Sequence, residues 1–147
     1  RLIGAVVTDS SSDFIPFAHS GIYFRFLGDV ITDITDSSIT HNTFETGTLS
    51  VPPFSVADVY AHSENDSGAT GEGNLVIKTK GAADVVGRVE AFIAINAGGW
   101  TPSQMTGSGS VMVDINSQVE YAAAEGMAST NIVISTMGFT MHSRSNP

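Results

Sequence analysis

The sequence predicts an all-β protein, an antiparallel two-sheet sandwich of jelly-roll-like form with about nine to ten strands. Three observations predict it. Segments alternating between apolar and polar residues follow one another about every 8–15 residues with turn signals between them, as in sandwiches and barrels. Charged residues make up only 14% of the chain, and Gly, Ser and Thr are abundant, which suits pleated surfaces joined by tight turns. Only "AADVVGRVEA" and "YAAAEGMA" could be helical, and Gly87 interrupts the first while Gly126 ends the second. A length of 147 residues suits one domain over 1–147.

"LIGAVVT" reads as the first strand, followed by the polar loop "DSSSD". "GIYFRFL" sets Ile22, Phe24 and Phe26 against Tyr23, Arg25 and Leu27. "VITDIT" and "GTLSV" are shorter, and Pro52-Pro53 stops the second. "SVADVYAHS" carries Val56 and Tyr60 among small residues and leads into a polar loop, "ENDSGATGEG". "NLVIKTK" places Leu75, Ile77 and Thr79 opposite Val76, Lys78 and Lys80. In "RVEAFIAIN", Val89, Ala91, Ile93 and Ile95 form a core face, while the other face runs from Arg88 and Glu90 to Phe92, Ala94 and Asn96. "NAGGWTPSQMTGSGS" reads as a glycine-rich loop. "VMVDI" and "QVEYAAA" flank a tight "NS" turn, and "TNIVISTMGFTMHS" closes the chain with Gly138 at a bulge or bend.

Charge and composition narrow the function. With six Lys and Arg against fifteen Asp and Glu, the formal net charge is −9, and only Lys78 and Lys80 form a close basic pair. Nucleic-acid binding requires clustered cations to displace phosphate counterions, so it is not expected, and neither is adhesion to anionic lipid. No apolar run reaches the ~20 residues of a membrane helix, so no membrane insertion is expected. The opening segment is too short in apolar residues for a signal peptide. With no cysteine, thiolate metal sites and cysteine nucleophiles are ruled out.

Catalytic patterns are not met. "GEGNLV" lacks the last glycine of a dinucleotide fingerprint, no glycine precedes Lys-Ser or Lys-Thr, and "GSGSV" does not have nucleophile-elbow spacing. His19, His41, His62 and His142 stand apart from one another at no ligand spacing. No catalytic residue, metal site or cofactor is therefore expected. Asp29, Asp33 and Asp36, and the group Glu64, Asn65, Asp66 and Glu72, have the oxygens that calcium needs but not EF-hand spacing. Asp29 and Asp33 are expected on the outward face of a strand.

Several strands are apolar on both faces. Phe92 and Ala94 lie where a solvated sheet would carry charge; Tyr23 and Leu27 oppose phenylalanines; Ala122 and Ala124 oppose Val119, Tyr121 and Ala123. A two-layer sandwich buries one face of each sheet, so the excess has to be covered by a loop, a further element or another copy. Phe92, Ala94, Ala122 and Ala124 are thus the expected oligomer contacts, in a closed assembly for which three copies are favoured. Trp100 after Gly98-Gly99, together with Tyr60 and His62, is the expected surface for another partner.

The order "GIYFRFL", "RVEAFIAIN" with its glycine-rich turn, "QVEYAAA" and "NIVISTMGFTM" resembles trimeric jelly-roll modules over about Gly21 to Met141. Such modules include phage capsid-decoration proteins, phage fibre tips and the C1q/TNF-like group. This chain has Asn96-Ala97-Gly98-Gly99 where Asn-Gly is typical, and "DINSQVEY" where "L-x-x-G-D" would precede the penultimate strand. The resemblance implies a non-enzymatic virion module that contacts capsid or other virion proteins. The alternative is a carbohydrate-binding module or adhesin at a cell surface, with Trp100, Tyr60 and the acidic loops holding a host glycan and, in one form, calcium.

Overall fold

A computed structural model describes residues 14–38, 43–65, 72–83, 89–94, 103–123 and 130–141. Within them run ten strands and no helix: β1 (Phe17–Ser20), β2 (Tyr23–Phe26), β3 (Ile31–Asp36), β4 (Glu45–Thr48), β5 (Val56–Asn65), β6 (Glu72–Thr79), β7 (Val89–Ala94), β8 (Ser103–Met112), β9 (Gln118–Ala123) and β10 (Thr130–Thr140). All pairings are antiparallel. The long sheet has the order β1-β2-β10-β5-β8, with β3 also on β10, and the short sheet has the order β4-β9-β6-β7. The long eleven-residue β10 accommodates both β2 and β3 on one edge, at Gly138–Thr140 and Ile132–Thr136 respectively. From β3 onward every connection except β6–β7 crosses between sheets. That gives β3-β10-β5-β8 over β4-β9-β6-β7, the jelly-roll-like two-sheet sandwich the sequence predicts, with β1 and β2 extending the long sheet.

Period-two alternation builds the core. Phe24, Phe26, Ala57, Val59, Ala61, Val111, Ile132, Ile134 and Phe139 point inward from the long sheet, meeting Leu75, Ile77, Val119, Tyr121 and Ala123 from the short one. Phe24 stacks on Phe139 with centroids 4.7 Å apart, and Phe17 and Phe26 pack edge-on against this pair. Each such fully buried side chain contributes about 1.5–3 kcal/mol. Gly138 follows a register shift between Thr136 and Gly138, where the sequence places a bulge. A Cβ there would come within 2.3 Å of the Phe24 carbonyl oxygen, so the close crossing of β2 and β10 requires glycine.

The structure adds one strand to the sequence reading and corrects one loop. "FAHS" forms the edge strand β1, although its alternation is weak; its pairing to β2 through the turn at Gly21 (φ 62°) is what defines it. The segment from Ser103 to Ser110, expected as loop, is most of β8, because all ten positions of that strand pair with β5 and small Gly and Ser side chains suffice beside that neighbour. Val89–Ala94 and Tyr121–Ala123 are strand, as expected for "RVEAFIAIN" and "QVEYAAA", so the two helical options do not form where they are described. The first expected strand, "LIGAVVT", lies outside the described residues.

Candidate interaction surfaces

Among the described residues no group of three or more His, Asp or Glu is placed to hold a metal. The acidic residues of β3 do something else. A register shift between Ile34 and Thr32 leaves Asp33 as a bulge, and its carboxylate turns away from the outward face expected for it. It accepts the Ser50 amide at 3.0 Å and the Thr136 hydroxyl, tying β3 to β10 and to the β4–β5 connection. Burial raises its pKa above the ordinary aspartate value, opposed by those hydrogen bonds. Asp36 is buried too; it accepts the Tyr121 hydroxyl at 3.1 Å across the two sheets and the Ser38 amide at 2.8 Å. Burial, with the Asp36 charge beside it, pushes the Tyr121 phenol well above its usual range. These acids fasten the sandwich together, and Asp29 stays exposed in the turn before β3.

The outward face of the short sheet carries Val76, Lys78, Glu120 and Ala122. Val76 is 3% exposed, Ala122 5% and Lys78 6% within the single chain. The Lys78 ammonium lies 3.3 Å from the Glu120 carboxylate, donates to the Ala82 carbonyl at 3.1 Å and sits 3.9 Å from the Phe44 ring centroid. Ala122, expected as an oligomer contact, therefore has little surface left for a second copy. Phe92 and Ala94 pair with Asn74 and Glu72, alternating with Val89 and Ala91 opposite the buried Ile77 and Leu75. Ala124 and Trp100 lie outside the described residues.

The long sheet differs. Its register stacks outward residues in rows across the strands. At one end lies Tyr23–Thr140–Val56–Met112. Next comes Arg25–Gly138–Asp58–Ser110, with the Ser110 hydroxyl donating to Asp58 at 2.7 Å. Beyond the Met137 bulge follow Thr32–Ser135–Tyr60–Ser108 and Thr35–Val133–His62–Thr106. Tyr60 and His62, expected as partner contacts, thus share this face, both half-buried.

No protein-family model matches this chain, and no curated protein does. Function has to be read from the surfaces.

The sequence does not show the end of the long sheet. Tyr23 (40% exposed) and Met112 (42%) flank the first row, and just beyond it stand Ile22 (46%), Phe54 (53%) and Ile115 (63%). Residues from three separate stretches, 22–23, 54 and 112–115, come to this end as Met141 donates its amide to the Ile22 carbonyl and Phe54 donates to that of Asp114. Phe54 holds a left-handed φ of 59°, a costly conformation for a bulky residue. "PPF" is the one local signal, since the two prolines fix the turn that displays the ring.

Proposed function

We propose that this chain is a non-enzymatic structural module that works by packing a sheet face against copies of itself, of the kind used in capsid decoration or fibre tips. The single observation behind this reading is the outward face of the long sheet. In a chain of net charge −9, the outward positions of β2, β3, β5 and β10 hold two acids, Asp58 and Glu64, and one base, Arg25, and one end is apolar. A surface spared the general negative charge, with exposed aromatic and aliphatic groups at its edge, suits burial against another protein. The virion setting and the preference for three copies rest on the resemblance of the strand sequence; a capsid or fibre protein is the partner they imply.

Light scattering on a sizing column tests the reading. Self-association at micromolar concentration supports it, and a chain that stays monomeric at several hundred micromolar overturns it. Tyr60 and His62 on the same face favour a glycan-binding reading as the second one. Glycan-array binding by a strict monomer, lost in Tyr60→Ala, would replace the structural reading with that one.

A further inference from the structure

We infer that the long sheet pairs face to face with the same sheet of a second copy, about a two-fold axis running along β10. The inference rests on the self-associating module proposed above and names its contact.

Gly138 sits in the middle of the row Arg25–Gly138–Asp58, so a base and an acid flank β10 at equal separation, one strand to either side. Two in-plane two-fold axes could stack this face on itself. An axis across the strands would place Arg25 over Arg25 and Asp58 over Asp58. An axis along β10 exchanges the two sides of the strand, so each Arg25 meets the other copy's Asp58 and two ion pairs form. Unlike charges therefore select the axis along β10.

The apolar end obeys the same operation. Tyr23, on the β2 side of β10, is brought over Val56 on the β5 side. The glycine at the centre carries no side chain to hold the sheets apart, and aligned sheets need to approach to about 10 Å. Below the charged row come Thr32–Ser135–Tyr60–Ser108 and Thr35–Val133–His62–Thr106, and Glu64 holds the next outward position on β5, off the axis, where the operation sets it over the β3 side of the other copy and not over its own counterpart. A two-fold contact gives dimers, or joins two trimers into six copies if a separate three-fold contact exists.

The absence of cysteine makes the test clean. Thr140 lies on β10, on the outward face and on the axis, so Thr140→Cys should meet its own counterpart. Treated with a short bis-maleimide that spans the ~10 Å between packed sheets, it should form a species of twice the chain mass on a denaturing gel. Thr106→Cys, exposed on β8 and two strands off the axis, should not. Arg25→Asp or Asp58→Arg alone should weaken association about tenfold or more, and the double exchange should restore it to near the parent value. Equal cross-linking of the two cysteine variants, or an assembly mass unmoved by single charge reversals, overturns the two-fold contact while leaving a self-associating module intact. A monomeric parent chain overturns both.

Discussion

The two sheets of the sandwich each have an outward face, and the chain treats them differently. On the short sheet, Val76, Lys78 and Ala122 are closed off within one copy, and the buried ammonium of Lys78 has a carboxylate, a carbonyl and a ring around it. On the long sheet, Tyr23 and Met112 remain two-fifths exposed, and three more apolar side chains crowd the adjoining turns. Both faces look alike as sequence, since each mixes apolar and small residues where solvent would favour charge. The lesson is that an apolar outward face calls for a partner only where the chain's own side chains leave it open.

The sharpest way to break the contrast is to place a charge on each face in turn. Val76→Asp on the closed face buries a carboxylate at a position 3% exposed, and should cost about 3–5 kcal/mol in urea unfolding. A loss below about 1 kcal/mol would mean that this face is open as well. Lys78→Ala comes next. It leaves Glu120 without its cross-strand ammonium and uncovers Phe44; because the Glu120 side chain keeps 21% of its exposure, water offsets part of the loss, and about 1–3 kcal/mol is expected. Lys78→Met keeps the stem over the sheet and should lose less than the alanine variant, if the stem supplies much of the cover.

A smaller effect checks that the long sheet is tight on its inner side, so that its open face does not reflect a loose sheet. Burial raises the Asp33 pKa above that of the unfolded chain, so the native state resists ionisation there. The stability this residue contributes is present below about pH 4 and falls away as pH rises through the native pKa. Asp33→Asn cannot ionise and keeps an acceptor for the Ser50 amide. Its stability relative to the parent should therefore rise with pH from about 4 upward, read from urea midpoints across that range. A difference that is flat or falls with pH would contradict the burial.

Much of the fold was legible in the sequence because period-two alternation is local. Phe24 and Phe26, Leu75 and Ile77, and Val119, Tyr121 and Ala123 face inward as alternation dictates. Gly138 marks its bulge because only glycine permits the approach to Phe24. Alternation failed where pairing overrode it. Asp33 looked outward by parity, yet one bulge redirected it, and nothing in "VITDIT" announces that shift. The glycine- and serine-rich start of β8 carries no strand signal of its own and is held by β5. The surface was least legible of all. Tyr60 and His62 share a face by simple parity, but Ile22, Phe54, Met112 and Ile115 are brought together only by the register of a long-range sheet and two backbone hydrogen bonds between connections.

The smallest stability effect should come from the open face, and it separates the two faces most clearly. Tyr23 is an exposed side chain on β2 with solvent on one side, so Tyr23→Ser removes area that a lone copy already leaves wet. The unfolding free energy of the dilute monomer should change by less than about 0.5 kcal/mol. Association should weaken at the same time, because the ring is lost from the face that meets a second copy. Urea unfolding at low concentration, paired with light scattering at high concentration, reads the two quantities separately. A stability loss as large as that of Lys78→Ala would show that Tyr23 supports the fold from inside its own chain, and the contrast between a closed and an open face would then disappear.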